Sequence, residues 1–163
     1  MLRRLRAYAS FVRIGHSVFA LPFAVMSAFL AAEGFPETEK LVWIIVCMVG
    51  ARSAAMAFNR IADRKFDAAN PRTARRHLPT GKISLPSAWA LCLLSGLLFV
   101  GVTFAIDWVR DERFVCFFLS PVALLFILGY SLTKRFTDFT HVFLGFALSI
   151  APVGAWLAVN GGL

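Results

Sequence analysis

Three oxygen-bearing side chains recur at every fourth position of the sequence, at Asn59, Asp63 and Asp67. On a helix that continues through this stretch, the three side chains lie on one stripe. Arg52 precedes Asn59 by seven residues, about two helical turns, and shares that face. Mg²⁺ prefers hard oxygen ligands, commonly one or two carboxylates together with the phosphate oxygens of a substrate. The spacing therefore predicts a Mg²⁺ site at Asn59, Asp63 and Asp67 that also takes a phosphate compound.

An alternative interpretation of the aspartates is a surface ladder of ion pairs. Arg60 and Arg64 each precede an aspartate by three residues, which is a pairing distance on a helix. The location favours chemistry instead, because the motif follows an apolar segment that contains Arg52. An arginine inside a membrane span costs about 2.5–3.5 kcal/mol or more, and it usually faces a polar interior and marks function.

The segment that follows the aspartates, residues 70–84, is rich in arginine. Arginine side chains such as Arg72 and Arg76 suit bidentate hydrogen bonding to phosphate oxygens. A pair of carboxylates opposite arginines is typical of a diphosphate site. Nucleic acid would require interleaved aromatic residues in a solvent-facing groove, and the segment has neither, so no nucleic-acid partner is expected.

The elements that must position these residues are membrane spans. Of the 163 residues, 59% are hydrophobic and 16% are charged, and the mean hydropathy of +0.73 argues against a soluble globular enzyme. A spanning helix needs about 20 mostly apolar residues. Five segments are predicted to span the bilayer: residues 18–32, 41–58, 89–106, 114–130 and 142–159. The fold class is therefore an all-α transmembrane helix bundle, with residues 1–163 in one domain.

Charges alternate between the segments that connect these spans. Residues 1–13 carry four arginines and no acid, residues 33–40 and 107–113 are net acidic, and residues 59–84 and 134–135 are basic. This alternation is the positive-inside pattern. It predicts that the N-terminus and residues 59–84 are cytoplasmic, in an integral protein of a bacterial inner membrane.

The sequence resembles the membrane-embedded aromatic prenyltransferases of the UbiA superfamily, in particular their 4-hydroxybenzoate polyprenyltransferase branch. The first aspartate-rich motif of that family is matched from Asn59 to Asp67. Its RTxxRPLPxGxIS segment is matched from Arg72 to Ser84, with His77 in place of a proline. Its YxxxKR motif is matched by Tyr130, Lys134 and Arg135. The segment that begins at His16 is similar to a menaquinone-pathway subgroup that prenylates a dihydroxynaphthoate.

This resemblance implies transfer of a polyprenyl group from polyprenyl diphosphate to an aromatic acid in ubiquinone or menaquinone biosynthesis, with Mg²⁺ as cofactor. It assigns Asn59, Asp63 and Asp67 to Mg²⁺ and catalysis. The substrate-binding residues that it implies are Arg52, Arg72, Arg76, Tyr130, Lys134, Arg135 and His16. Tyr130 also suits the aromatic belt of a membrane interface, and His16 also suits a polar helix end, so both alternatives stay open.

One departure from the family concerns its second aspartate-rich motif. Family members have about nine helices and a second motif in the C-terminal half, whereas no second DxxxD on the same side follows Asp67 here. We therefore expect residues 1–163 to be the N-terminal part of such an enzyme and inactive alone. The alternative is a non-catalytic membrane protein, either a degenerate paralogue or a partner subunit.

Overall fold

Helices form nearly all of the structure, a computed structural model that describes residues 2–12, 20–109, 114–133 and 135–161, with side chains from residue 7 onward. No strand occurs within these ranges, and the predicted all-α class is confirmed. The helices described are α1 (Leu2–Phe11), α2 (Leu21–Ala31), α3 (Thr38–Ala62), α4 (Arg64–Ala69), α5 (Leu85–Val109), α6 (Val115–Thr133) and α7 (Thr140–Asn160).

Four of these helices, α3, α5, α6 and α7, are long and apolar enough to cross a membrane. They correspond to four of the five predicted spans. The first predicted span begins at residue 18, outside the described residues, and its described part is α2, an apolar helix of 11 residues. Helix α3 has 25 residues, or about 37 Å at 1.5 Å per residue, against a hydrocarbon core of about 30 Å. Its last turns therefore extend past the apolar layer.

Helices α3 and α5 pack closely because small residues line their contact. A Cβ atom on Gly50 of α3 would lie 3.2 Å from the backbone oxygen of Ser95 and 3.3 Å from the backbone nitrogen of Phe99 on α5. One turn further along, the Cys92 thiol contacts the Ala54 carbonyl at 3.5 Å. Small residues allow helix backbones to approach in this way inside membranes. This contact fixes the direction in which α3 leaves the bundle.

A second small-residue contact joins α2 to α7, where alanines of both helices are buried in one apolar cluster. The Ser27 hydroxyl donates a hydrogen bond of 2.7 Å to the carbonyl of Pro152. At the same end of the bundle, the buried Asp107 carboxylate accepts the backbone N–H of Phe117 at 2.8 Å. That N–H lies in the first turn of α6, where a negative charge is favourable. This hydrogen bond joins the last turn of α5 to the first turn of α6.

The opposite end of the bundle, here called the polar end, consists of residues 59–84 together with Arg135. Helix α1 packs there through Phe11 and Val12, which are buried with Leu78 and Ile83 of the connecting segment and with Ala88 of α5. These apolar anchors hold residues 70–84 against the helices, although the segment itself consists of turns. The polar end is therefore a packed structure.

Candidate functional site at the polar end and the adjoining cavity

The two aspartates of the motif lie on either side of a short break between α3 and α4. Helix α3 ends at Ala62, Asp63 forms a turn, and α4 begins at Arg64. The prediction of one uninterrupted helix is thus wrong at Asp63. The helical spacing is nevertheless kept across the break. The backbone N–H of Asp63 donates to the backbone carbonyl of Asn59 (2.9 Å), and that of Asp67 donates to the backbone carbonyl of Asp63 (2.8 Å). These helical hydrogen bonds keep both carboxylates on consecutive turns of one face.

Asp67 is buried, with 6% of its surface exposed, and its carboxylate is held by Arg76. A single guanidinium nitrogen, Nη1, lies 2.7 Å from Oδ1 and 2.8 Å from Oδ2. The Thr73 hydroxyl donates to the backbone carbonyl of Asp67 at 3.0 Å. Thr73 was not predicted as a site residue, although a threonine next to a turn commonly binds a nearby carbonyl. The ladder interpretation is wrong for Asp67, since its partner comes from the loop and Arg64 is exposed.

Asp63 is also buried, at 8% exposure, and Arg135 approaches it from the segment after α6. The nearest nitrogen of Arg135 lies 4.0 Å from the Asp63 carboxylate and donates a hydrogen bond of 2.6 Å to the carbonyl of Ala62. The guanidinium also lies over the ring of Phe66, 5.2 Å from its centroid. A cation at a helix C-terminus is stabilised by the helix dipole. Arg135 therefore binds the α3–α4 junction itself.

The loop that carries Arg76 is folded by local hydrogen bonds. The Thr80 hydroxyl donates to the Arg76 carbonyl at 2.8 Å, and Gly81 takes a φ of +70°, which favours glycine. The ring of His77 packs edge-on against Phe11, with centroids 6.0 Å apart. The pKa of His77 is lowered from its ordinary value, chiefly by burial and then by the positive charges of Lys82 and Arg60.

An apolar cavity of about 410 Å³ lies within the bundle, lined mainly by α3, α6 and α7. Two predicted site residues line it, Arg52 of α3 and Tyr130 of α6. The Nε atom of Arg52 is buried and has no hydrogen-bond partner among the described residues. Arg52 precedes Asp63 by 11 residues, about 16 Å along a helix. The cavity therefore contains a cationic group at a separate depth from the carboxylates.

The remaining predicted site residues differ in their exposure, and two of them lie outside the described residues. Arg72 is exposed on the loop, and its backbone N–H donates to the Asn70 side chain at 3.0 Å. Asn59 is half-buried, one turn before Asp63. His16 and Lys134 lie outside the described residues. The structure thus brings Asp67 to Arg76 and Asp63 to Arg135, whereas Arg52 and Tyr130 line the cavity.

These residues can hold a divalent cation only if the phosphate oxygens of a substrate supply some of its ligands. The described residues contain no group of three or more His, Cys, Asp or Glu that could enclose a metal ion. Two buried carboxylates on consecutive turns match the smaller protein contribution that is typical of Mg²⁺ bound with substrate phosphates. The guanidinium nitrogen at the Asp67 oxygens shows that this position accommodates positive charge. The donor set therefore fits Mg²⁺ held jointly by protein and diphosphate.

Comparison with known proteins adds an independent observation. Residues 20–163 match the UbiA prenyltransferase family. The chain belongs to this family. It is 35% identical to a 4-hydroxybenzoate octaprenyltransferase of Marinomonas sp. (strain MWYL1), over 99% of this chain and 56% of the relative. It is 33% identical to the enzyme of the same name from Vibrio atlanticus (strain LGP32), over 95% of this chain and 54% of the relative. The chain spans about half the length of the curated relatives it matches.

Two solved structures share the fold. A UbiA homolog from Aeropyrum pernix K1, in its apo form, superposes with a TM-score of 0.80 at 34% identity, over 91% of this chain and 51% of the homolog. A digeranylgeranylglyceryl phosphate synthase superposes with a TM-score of 0.83 at 16% identity, over 96% of this chain and 53% of the synthase. The UbiA resemblance read from the motifs is confirmed, and with four candidate spans the chain is an integral membrane protein.

Proposed function

We propose that this chain acts in the transfer of a polyprenyl group from polyprenyl diphosphate to an aromatic acid such as 4-hydroxybenzoate. The observation that carries the proposal is the juxtaposition of two sites on α3. Buried carboxylates and arginines lie at its polar end, and an apolar cavity with Arg52 and Tyr130 lies deeper in the bundle. A prenyl diphosphate has the same two parts, a polyanion and an apolar chain.

In this proposal, the prenyl C1–O bond breaks and the diphosphate leaves with the bonding electrons. A ring carbon of the acceptor bonds to C1, and the ring then loses the proton from that carbon to an oxygen of the departed diphosphate. Mg²⁺, when bound by Asp63, Asp67 and Asn59 together with diphosphate oxygens, would neutralise charge on the leaving group. Arg76, Arg72, Lys134 and Arg135 supply further positive charge for the diphosphate.

The residues of the cavity bind the remaining parts of the substrates. Its apolar lining suits the isoprenoid chain and keeps water away from the allylic cation. Arg52 has an unpaired Nε and suits the carboxylate of the acceptor, because a charged pair relieves the cost of a buried cation. The face of the Tyr130 ring suits the developing cation, and His16 is proposed to contact the acceptor. A 1,4-dihydroxynaphthoate acceptor fits the same chemistry.

The test is a split-enzyme assay. The 163-residue chain is incubated with octaprenyl diphosphate, 4-hydroxybenzoate and Mg²⁺, alone and with the co-expressed part of the Marinomonas relative that it does not cover. The Marinomonas enzyme, split at the same point, serves as the positive control. We expect no product from the chain alone and prenylated acid from the combination. The combination is also assayed with 1,4-dihydroxynaphthoate. If the control pair is active and the combination makes no product with 4-hydroxybenzoate or with 1,4-dihydroxynaphthoate, the prenyltransferase proposal fails and a non-catalytic membrane protein is favoured.

We also propose that the polar end is cytoplasmic, in a bacterial inner membrane, because the basic segments alternate with acidic ones. Ala69 and Thr38 are both exposed and lie at opposite ends of the bundle. In intact cells, a membrane-impermeant maleimide should label Thr38→Cys and leave Ala69→Cys unlabelled in a background without the native cysteines. The reverse pattern would contradict this orientation.

A further inference from the structure

The guanidinium of Arg76 contacts both oxygens of the Asp67 carboxylate, the group that the proposed function assigns to a divalent cation. Nη1 is nearly equidistant from the two oxygens, at 2.7 Å and 2.8 Å, and therefore lies between them. A divalent cation held by either oxygen would therefore lie close to this guanidinium. Two positive groups so close together would repel each other strongly in a buried site. Arg76 and a cation on Asp67 therefore compete with one another.

Arg76 has a fixed backbone and a side chain with freedom to move. Its N–H donates to Thr73 (3.0 Å), and its carbonyl accepts hydrogen bonds from the backbone N–H of Thr80 (3.1 Å) and from the Thr80 hydroxyl (2.8 Å). The guanidinium is partly exposed, with 31% of the side chain accessible, and only Nη1 is bonded to Asp67. The other N–H groups can therefore receive an anion from solvent while the loop stays folded.

The pairing at Asp63 is different. The Arg135 nitrogen nearest to Asp63 lies 4.0 Å away and donates instead to the Ala62 carbonyl, at 2.6 Å. Movement of Arg135 toward a ligand would break its hydrogen bond to the α3–α4 junction. We therefore expect Arg135 to move less than Arg76 when a ligand binds. Of these two arginines, Arg76 alone contacts both carboxylate oxygens of its aspartate.

We propose that Arg76 occupies the cation position of Asp67 until a diphosphate draws the guanidinium away, so that metal and diphosphate bind cooperatively. The proposal rests on the proposed function, in which Asp67 is a metal ligand. A diphosphate with about three negative charges competes for the guanidinium better than one carboxylate does. Arg76 then turns to the phosphate oxygens, and the Asp67 carboxylate is free to hold the metal. Metal alone binds weakly because it must displace Arg76 without an alternative partner for it.

The experiment measures Mn²⁺ binding by electron paramagnetic resonance, with the chain in nanodiscs of uncharged lipid. Wild type, Arg76→Gln, Arg76→Lys, Asp67→Asn and Arg75→Gln are titrated with and without inorganic pyrophosphate, and empty nanodiscs correct for Mn²⁺–pyrophosphate in solution. Arg75 is the matched control, since it is exposed and adjacent, and its loss removes the same charge. Circular dichroism verifies that each variant keeps its helix content.

Without pyrophosphate, we expect Arg76→Gln to bind Mn²⁺ roughly tenfold more tightly than wild type, the effect of removing a hydrogen-bonded charged competitor. Arg76→Lys should fall between the two, and Arg75→Gln should match wild type. Pyrophosphate should raise the Mn²⁺ affinity of wild type and have a smaller effect on Arg76→Gln. Asp67→Asn should lose this response.

Two kinds of contrary result are distinguishable. If wild type and Arg76→Gln bind Mn²⁺ equally well and Asp67→Asn does not, the competition by Arg76 is overturned while the metal site of the proposed function stands. The competition is likewise overturned if pyrophosphate leaves the Mn²⁺ affinity of wild type unchanged. If no variant binds Mn²⁺ under any condition, the metal role of the carboxylates is overturned, and the competition with it.

Discussion

The polar end and the cavity hold their charged groups in opposite ways. At the polar end, Asp67 is paired with Arg76 at contact distance, and Asp63 lies near Arg135. In the cavity, the Nε of Arg52 is buried without a hydrogen-bond partner in the described part of the chain. A buried, unsatisfied charged donor costs more than a satisfied one. The described residues therefore pair the charges at the polar end, whereas they leave the Nε of Arg52 without a hydrogen bond in the cavity.

This difference separates two kinds of ligand. A site that already contains both signs of charge accepts a ligand by exchanging partners, which favours joint binding of a metal and a polyanion. A site with a half-buried arginine, whose Nε has no hydrogen-bond partner among the described residues, gains a partner when an anion binds. The first arrangement suits Mg²⁺–diphosphate, and the second suits a single carboxylate on an aromatic ring. The following predictions test this contrast, beginning with the largest effect.

Replacing Asp63 with asparagine should cause the largest loss. The amide keeps the shape of the side chain and removes the negative charge that a metal requires, so product formation in the split-enzyme assay should fall roughly a hundredfold or more. Asp138→Asn is the control, because Asp138 is an exposed acid after α6 and should tolerate the change. Near-normal turnover of Asp63→Asn at ordinary Mg²⁺ would contradict the role of Asp63 as a metal ligand.

Replacing Arg52 with glutamine should weaken acceptor binding and leave prenyl diphosphate binding almost unchanged. We expect the KM for 4-hydroxybenzoate to rise roughly tenfold, the usual size of one charge-assisted hydrogen bond. With an acceptor analogue that lacks the carboxylate, wild type and variant should give equal KM values. An increase confined to the KM for prenyl diphosphate would assign Arg52 to the polar end instead, and the contrast between the two sites would be lost.

The sequence predicts these two sites unequally, for physical reasons. Four of the spans and the spacing of Asp63 and Asp67 follow from local periodicity, which hydropathy and helical geometry report directly. The choice of Arg76 over Arg64 as the partner of Asp67 depends on a folded loop, which in turn depends on the buried anchors Leu78 and Ile83. Such anchoring depends on tertiary contacts, which leave no periodic pattern in the sequence.

The contacts of Arg135 and the presence of the cavity also depend on tertiary structure and could not be predicted from the sequence. The hydrogen bond from Arg135 to Ala62 joins residues 73 positions apart, and no spacing rule relates them. The cavity exists because α3, α6 and α7 leave space between them, so that its volume depends on helix packing. Arg52 could be recognised from the sequence as a costly residue in a span, whereas its unpaired Nε could be found only in the structure.

Replacing Gly50 with alanine should lower stability by about 1–3 kcal/mol, because the added Cβ meets backbone atoms of α5 at 3.2 Å and 3.3 Å. Gly101→Ala on α5 is the control, since nothing lies within 4 Å of its Cβ position and alanine favours a helix. Thermal unfolding of both variants in detergent, followed by circular dichroism, measures the difference. Equal midpoints for the two variants would show that α3 and α5 separate easily, and α3 would then be a poor scaffold for two sites at fixed depths.

The smallest effect is expected from His77, which packs on Phe11 at the polar end. Its pKa is lowered in the folded chain by burial and by Lys82 and Arg60. The folded state therefore binds a proton less readily than the unfolded state, whose pKa is about 6.5. The contribution of His77 to stability is complete above that pH and is lost as the pH falls toward the folded pKa.

Because His77 contacts α1 and the loop, the loss should appear locally, as faster tryptic cleavage within residues 70–84 when the pH is lowered from 7.5 to 5.5. His77→Gln cannot take up this proton and should remove most of the pH dependence, after correction for the activity of trypsin on an unfolded peptide. The described residues that line the cavity include no histidine, so thermal unfolding of the spans should respond less than loop cleavage does. An unchanged pH dependence in His77→Gln would assign the effect to other groups of the polar end.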